Sequence, residues 1–255
     1  TNLDQIDSDG SAINVTSAEQ LSQAFEDSNP LNKLDPIGDD LINGGEGDDI
    51  IFGDALYTDD LADLHGLTTM DGAGWEVFAQ LESGFSIIDS SWSRIDTLNY
   101  LKHNGENLMV ESIDQEGAKR IIGNDKLNGG DGDDYIFGQE GNDLITGGEG
   151  QDTLYGGRGS DVFIYEAIAD AYDIIKDYSF TEGDVIDLSQ VISTYDPLQD
   201  TLDEFVFKTE DGGNTVVSVD VTGSSNQQNA VDLVVLEGII NQDISIQLGS
   251  DVMSV

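Results

Sequence analysis

A nine-residue period constrains this chain more than any other feature. From Gly129 to Ile164 the sequence reads GGDGDDYIF, GQEGNDLIT, GGEGQDTLY and GGRGSDVFI without a gap. The unit is G-G-x-G-x-D-x-U-x, where U is large and apolar. Frames begin at Arg120, Gly129, Gly138, Gly147 and Gly156, and an earlier pair begins at Asp35 and Gly44. Position four is Gly in all seven frames, and position six is Asp: Asp40, Asp49, Asp125, Asp134, Asp143, Asp152 and Asp161. Position eight is Ile42, Ile51, Leu127, Ile136, Ile145, Leu154 and Phe163.

Each position has a physical reading. Glycines reach backbone angles closed to other residues, so G-G-x-G-x-D is a tight turn. The x-U-x tripeptide is a short strand with one side chain pointing inward. Two units make a coil of 18 residues with a turn on each side. Stacked coils bring each Asp of position six close to the Asp one coil later. Two carboxylates and several backbone carbonyls form a hard, all-oxygen donor set that suits Ca²⁺. The carbonyls expected to contribute are those of positions one and three: Gly44, Glu46, Gly129, Asp131, Gly138, Glu140, Gly147, Glu149 and Gly156. The competing reading is a flexible Gly/Asp-rich linker. Strict phase at four positions argues against it.

The two arrays look separate, because Asp35 and Arg120 are 85 residues apart, not a multiple of nine. Yet Gly53-Asp54-Ala55 reads as positions one to three of a third unit that breaks off, and Gly123–Asn128 reads as positions four to nine. Joining them restores phase. The expectation is one continuous roll with residues 56–122 looped out of a turn. The carboxylate pairs are then Asp40 with Asp125, Asp49 with Asp134, Asp125 with Asp143, Asp134 with Asp152, and Asp143 with Asp161. That predicts about five shared calcium ions.

Charge narrows the function. The chain has 52 acidic and 9 basic residues, a net charge of -43. It lacks the Lys and Arg clusters that phosphate backbones require, so nucleic acid is not an expected partner. Docking on anionic membranes is disfavoured for the same reason. No apolar run approaches a membrane span, and no N-terminal signal peptide is evident. There is no cysteine, hence no disulfide framework and no thiolate site. The first residue is Thr, as in a piece cut from a longer protein. His65 and His103 occur without H-E-x-x-H, and no G-x-S-x-G is present. No catalytic residue and no enzyme are expected.

The segments around the repeats read differently. In 56–122, Trp75, Phe78 and Leu81 fall at helical spacing, as do Trp92, Ile95, Leu98 and Leu101 behind the caps Ser90 and Ser91. A third short helix holds Leu108 and Met109, and His103 before Asn104-Gly105 marks a helix end. This predicts a small helical insertion packed on the flank of the roll; a partner or ligand platform is the other reading. Residues 1–34 carry a strand-like Ala12–Val15 and a capping-box signature, Thr16-Ser17-Ala18-Glu19-Gln20, before Leu21, Ala24 and Phe25. They form a linker and a cap for the open end. Asp7-Ser8-Asp9-Gly10 resembles half of an EF-hand loop, and a polar linker is the plainer reading. After 35–55 (first repeats) and 123–165 (main repeats), residues 166–255 are β-rich. Their strands are Tyr172–Tyr178, Asp184–Leu188, Glu204–Lys208, Val216–Val221 and Asp232–Leu236, with a hairpin turn at Asp211-Gly212-Gly213-Asn214. Asp173, Asp177 and Asp187 read either as ligands of a further ion at the junction or as solvated turn acids. The fold class expected is all-β: a parallel β-roll with a helical insertion and a C-terminal β-rich domain.

These residues resemble the RTX proteins of bacterial type I secretion. Gly159–Tyr165, then Tyr172-Asp173-Ile174-Ile175-Lys176-Asp177-Tyr178 and Gly183–Ser189, are similar to the end of their repeat arrays. Thr215–Gly223, Asp232–Gly238 and Gly74-Trp75-Glu76-Val77-Phe78 are similar to the C-terminal region of giant biofilm adhesins. The resemblance implies a secreted or cell-surface, monomeric, calcium-binding module with an uncleaved C-terminal secretion signal at 166–255. Its partners would be calcium and the type I secretion machinery. It also implies a chain that is unfolded in calcium-poor cytosol and folds after exit. The alternatives are an adhesion module that binds a surface or ligand, and the non-catalytic tail of a secreted hydrolase.

Overall fold

The computed structural model describes residues 39–67, 74–108, 123–170, 172–224 and 227–255, together with a two-stranded antiparallel pair, β1 (Asp4–Gln5) and β2 (Ile13–Asn14). The expected N-terminal helix, the Asp7–Gly10 loop and Met109 lie outside the described residues.

The repeats build two facing seven-stranded sheets. One carries β3 (Leu41–Glu46), β5 (Lys126–Asp131), β7 (Leu144–Glu149), β9 (Val162–Ile164) and β11 (Val185–Asp187), and ends on the hairpin β15 (Ser245–Leu248) and β16 (Asp251–Ser254). The other carries β4 (Ile50–Phe52), β6 (Tyr135–Phe137), β8 (Thr153–Tyr155) and β10 (Asp173–Ile175), and ends on β14 (Val231–Leu236), β13 (Asn214–Val219) and β12 (Val206–Asp211). Each coil therefore gives one strand to each sheet, and the pairing along the repeats is parallel.

Register settles the splice. Leu41 pairs with Lys126 and Ile50 with Tyr135, a step of 85 residues. Lys126 then pairs with Leu144 and Tyr135 with Thr153, a step of 18. The broken unit is whole in space, and the insertion leaves the roll at one turn and returns to it. Both sheets run on past the nonapeptides, since Ile174 pairs with Thr153 and Val185 with Val162.

Position eight fills the interior. Leu127, Ile136, Ile145, Leu154 and Phe163 are fully buried, and Ile175 and Ile186 extend the column. Single inward side chains from alternating sheets suit a narrow roll, because a x-U-x strand offers only one per pass. At the C-terminal end, Leu188, Phe205, Val217, Leu233 and Ile246 join the same core, and antiparallel strands close it. The turn Asp211–Asn214 is as expected; Gly212 and Gly213 hold φ of 62° and 96°, which a tight hairpin turn needs. The hairpin β15–β16, with Gly249 at φ 64°, has no counterpart in the sequence reading.

The insertion contains α1 (Asp59–His65), α2 (Trp75–Glu82), α3 (Arg94–Asn104) and a 3₁₀ turn at Gly105–Leu108. The helix expected behind Ser90 and Ser91 starts later. The Asp89 carboxylate accepts the Ser91 N–H and O–H, which holds that stretch in a turn. Asp96 accepts the Ser93 N–H and O–H, and this box starts α3. Trp92 thus precedes the helix and donates its indole N–H to Thr97, while Ile95 faces solvent. His103 lies in the last turn of α3, at the helix end that the sequence predicts.

Position nine of one sheet explains where the insertion docks. Phe52, Phe137 and Tyr155 stack on the outer face with centroids 4.7 Å apart at each step. They share a core with Leu56, Leu61, Val77, Phe78, Leu81, Leu101 and Leu108. Gly105 sits directly on Phe137, where a Cβ would overlap the ring. The helical insertion is packed on the flank of the roll through this aromatic column.

Candidate metal centre

The turns place the position-six acids in two columns. In the first, the Asp40 N–H donates to Oδ1 of Asp125 at 2.7 Å, Asp125 to Asp143 at 2.7 Å, and Asp143 to Asp161 at 2.9 Å. In the second, Asp49 donates to Asp134 at 2.7 Å and Asp134 to Asp152 at 2.8 Å. These are the five pairs that the period and the splice predict. Each column then takes one further step. Asp152 donates to Oδ1 of Asp173 and Asp161 to Oδ1 of Asp184, both at 3.0 Å.

From Asp125 to Asp161 and from Asp134 to Asp173, one oxygen of each carboxylate is therefore spoken for, and the other is not. Oδ2 of Asp49, Asp125, Asp134, Asp143, Asp152, Asp161 and Asp173 is buried without any hydrogen-bond partner. A column of buried, unpartnered carboxylate oxygens is strongly unfavourable unless something positive meets it. Burial accordingly pushes the carboxyls up: Asp143 and Asp152 to about 6, Asp125 to about 7, Asp161 and Asp173 to about 8. Asp40 and Asp134 are raised for the same first reason.

Position-one glycines line the same spaces. A Cβ on Gly44 would fall 2.6 Å from Oδ2 of Asp49 and 2.5 Å from the Gly129 carbonyl oxygen. On Gly138 it would meet Oδ2 of Asp143 and the Gly156 carbonyl, and on Gly129 Oδ2 of Asp134 and the Gly147 carbonyl. These glycines are not at positive φ, so it is space rather than backbone angle that requires them. Carboxylate and carbonyl oxygens thus converge on a pocket that only Gly leaves open. Of the position-three carbonyls, those of Asp131 and Glu149 accept the N–H of Gly47 and Gly132, so one of their two lone-pair directions is used. The Glu140 side chain pairs with Arg158 at 2.9 Å across one coil. Glu46 stands at the exposed end of β3.

The donor set fits a hard cation. Among the described residues no group of three or more Asp, Glu or His side chains converges. A cation held between turns would take two carboxylates and the rest of its ligands from the backbone, which is within the habit of Ca²⁺.

The junction acids divide. Asp173 prolongs the second column and keeps an unpartnered Oδ2. Asp177 spends both oxygens on the amides of Gly156 and Gly157, at 2.9 Å each. Asp187 accepts from Ser189 and Gln247. Asp184 is a column member that the nonapeptide frame misses. Its local signature, Asp184-Val185-Ile186-Asp187, mirrors Asp161-Val162-Phe163-Ile164, but it falls 23 residues on instead of 18. Its second oxygen accepts the Ser179 N–H, so the first column ends there with a satisfied carboxylate.

The family model of the RTX calcium-binding nonapeptide repeat, in four copies, matches residues 37–55, 122–145 and 128–163. These are RTX calcium-binding nonapeptide repeats. The matched RTX segments stop and resume on either side of the insertion. No curated protein matches the chain. Among solved structures, the chain is similar to the AlgE6R3 subunit of the Azotobacter vinelandii mannuronan C5-epimerase, at 27% identity over 51% of this chain and 69% of that one, TM-score 0.36. The AlgE6R2 subunit of the same epimerase is similar at 25% identity over 46% and 74%, TM-score 0.34.

Proposed function

We propose that this is a calcium-folded RTX module that carries the C-terminal type I secretion signal of a large secreted adhesin. The observation that carries the calcium part is the run of unpartnered Oδ2 atoms along both turn lines. Bound calcium would supply the positive charge that lets these carboxylates lie buried and ionised. The chain's own residues do the rest. Asp49, Asp125, Asp134, Asp143, Asp152, Asp161 and Asp173 present one oxygen each, Asp40 heads the first column, and from Asp125 onward the Oδ1 bonds hold the aim. The position-one glycines keep the space clear, and the position-eight residues fasten successive coils from inside.

A switch follows from charge. At a net charge of -43 the free chain repels itself. In calcium-poor cytosol burial of the acids is unfavourable, so the chain stays extended and can thread a channel. At the ~10⁻⁴–10⁻³ M calcium that extracellular modules respond to, binding and folding become one equilibrium. Residues 166–255 would leave first, C-terminus leading. Because β10, β11, β14 and β15 prolong the roll's own sheets, they would offer a template for the repeats that follow. The module acts as a monomer at the cell surface or outside it. Among the described residues no helix is long and apolar enough to cross a membrane.

Far-UV circular dichroism tests this. The chain in excess chelator should lose most of its β signal and regain it in millimolar calcium. A full β signal in chelator at neutral pH would refute the switch. For export, deletion of residues 166–255 from the full-length protein should abolish secretion, and unchanged secretion would refute the signal assignment.

One observation favours a second role. Phe85, Ile87 and Ile88, between α2 and α3, are 60% or more exposed, as is Ile95 on α3. An apolar cluster of this kind on an acidic domain fits a partner-binding surface.

A further inference from the structure

The interrupted turn differs from its neighbours in composition and contacts. At position two, where the repeat usually has Gly, this turn has Asp54, and the turn stacked on it has Gln139. Gln139 holds φ of 78°, a left-handed angle that favours Gly. Its side chain explains why it is tolerated. Gln139 is 2% exposed; its Oε1 accepts the Asp54 N–H at 2.7 Å and its amide donates to the Ala55 carbonyl at 3.3 Å. Asp54 in turn accepts the Glu140 N–H on Oδ2 at 3.2 Å. The last two residues before the insertion, Asp54 and Ala55, are thus tied to the next coil by side chains, not only by the sheet.

The other root of the insertion is tied to the same place. Gly123 returns the chain to the roll, and a Cβ on Gly141 would collide with the Gly123 carbonyl oxygen. Two residues later Asp125 joins the ladder. Oδ2 of Asp125, 1% exposed and unpartnered, abuts Gly53 beside the Gly138 carbonyl. Asp143, fully buried, presents its unpartnered Oδ2 at Gly138. Asp54 follows Gly53, which Oδ2 of Asp125 abuts, and keeps a buried, unpartnered Oδ1 at the rim of this pair. Elsewhere along the columns position two adds no carboxylate.

We propose that this turn is a specialised cation site, a clasp in which one divalent cation, held by Asp125 and Asp143 with the added charge of Asp54, locks both roots of the helical insertion to the roll. It rests on calcium binding by the ladder and goes beyond it: one site, unlike the rest, governs the insertion. The insertion bears on the roll through Phe52, Phe137 and Tyr155, and Phe52 is two residues before Asp54. Fixing the clasp therefore fixes the surface on which the helices sit. Asp54 adds its negative charge beside the site without joining the two ligand carboxylates, and a nearby opposite charge favours a cation, so the clasp is the tightest site of its column and closes at the lowest calcium.

Both tryptophans lie in the insertion, and the Trp75 ring is 5.9 Å from that of Phe52, so tryptophan emission reports docking. The experiment is a calcium titration of the whole 255-residue chain, followed by tryptophan emission and far-UV circular dichroism in parallel. Asp54→Asn should move the emission midpoint up in calcium by about threefold to tenfold, as expected for loss of one charge. The circular dichroism midpoint should move much less. Gln139→Gly leaves every carboxylate in place, relieves the positive φ and removes both side-chain ties; it should split the two signals in the same direction. That second variant decides the matter if the first does not fold. Equal shifts of both signals, or no shift of emission in either variant, would overturn the clasp. A parent chain with no calcium response in either signal would instead overturn the calcium-folding proposal on which it rests.

Discussion

Asp125 donates its backbone N–H to Oδ1 of Asp143, 18 residues on, at 2.7 Å, and leaves Oδ2 of Asp143 buried without a partner. The relation repeats along both turn lines. It divides each carboxylate into a structural oxygen and a free one, so substitutions can separate the two roles.

Asp143→Asn keeps an acceptor for the Asp125 amide and removes the charge. Two effects follow. In calcium the midpoint of folding should rise by about tenfold, since ligand charge sets affinity. In chelator the variant should hold more β structure than the parent, because one buried charge is gone. Circular dichroism in both conditions checks this. An unchanged calcium midpoint would place the ion elsewhere.

Gly129→Ala tests the pocket rather than the charge. Its Cβ would overlap Oδ2 of Asp134 and the Gly147 carbonyl. Both are held by the fold, so the overlap is not easily relieved. The variant should bind fewer calcium ions per chain by isothermal titration calorimetry, with all acids intact. Gly45→Ala is the contrast. A Cβ there meets nothing, and its cost should come only from φ of 107°. Equal stoichiometry in Gly129→Ala and the parent would show that the space beside Gly129 is not a ligand site.

Much of this was legible beforehand, and the limits are physical. The columns follow from period alone, and the splice from phase, because Gly53-Asp54-Ala55 and Gly123–Asn128 complete one unit. Asp184 escaped because a longer connection shifts its step to 23 residues while the stacking is kept. Residue type does not fix the start of α3, because Ser90, Ser91 and Ser93 all qualify as caps, and only Asp96 and Asp89 decide between them. The helix α1 escaped because its seven residues include three aspartates and bury little beyond Leu61, Ala62 and His65. The docking face has a signal of its own in the sequence: position nine points outward, yet it holds Phe52, Phe137 and Tyr155.

That face gives a packing prediction. Gly105→Ala gains helix propensity of about 1 kcal/mol at most. Overlap with a ring stacked between Phe52 and Tyr155 costs about 1–3 kcal/mol, so the net effect is destabilising. Phe137→Ala should cost about 3–5 kcal/mol, because it opens the column in the middle. Both should alter tryptophan emission in saturating calcium while the sheet signal of residues 166–255 persists. Unchanged emission in both would show that the column does not hold the insertion.

The metal-free roll should also be pH-dependent, with a definite sign. Burial raises Asp125 to about 7 and Asp161 and Asp173 to about 8. An unfolded carboxyl titrates near about 3.9. The folded state therefore binds protons more tightly, and its stability falls as pH rises. The stabilising protons are fully present below the unfolded value and are lost as pH passes through about 6 to 8. In chelator, β structure should grow as pH is lowered from 8.5 to 5.5, a window in which exposed carboxylates are already ionised. Loss of β structure on acidification in chelator would contradict this sign.

The most direct measurement is anomalous scattering from crystals grown in millimolar calcium. The account predicts peaks along both turn lines, each within ligand distance, about 2.3–2.6 Å, of carboxylate and carbonyl oxygens. One must lie between the turns of Asp125 and Asp143, and one between those of Asp134 and Asp152. A well-ordered roll whose Oδ2 atoms meet only water, with no anomalous peak on either line, would contradict it.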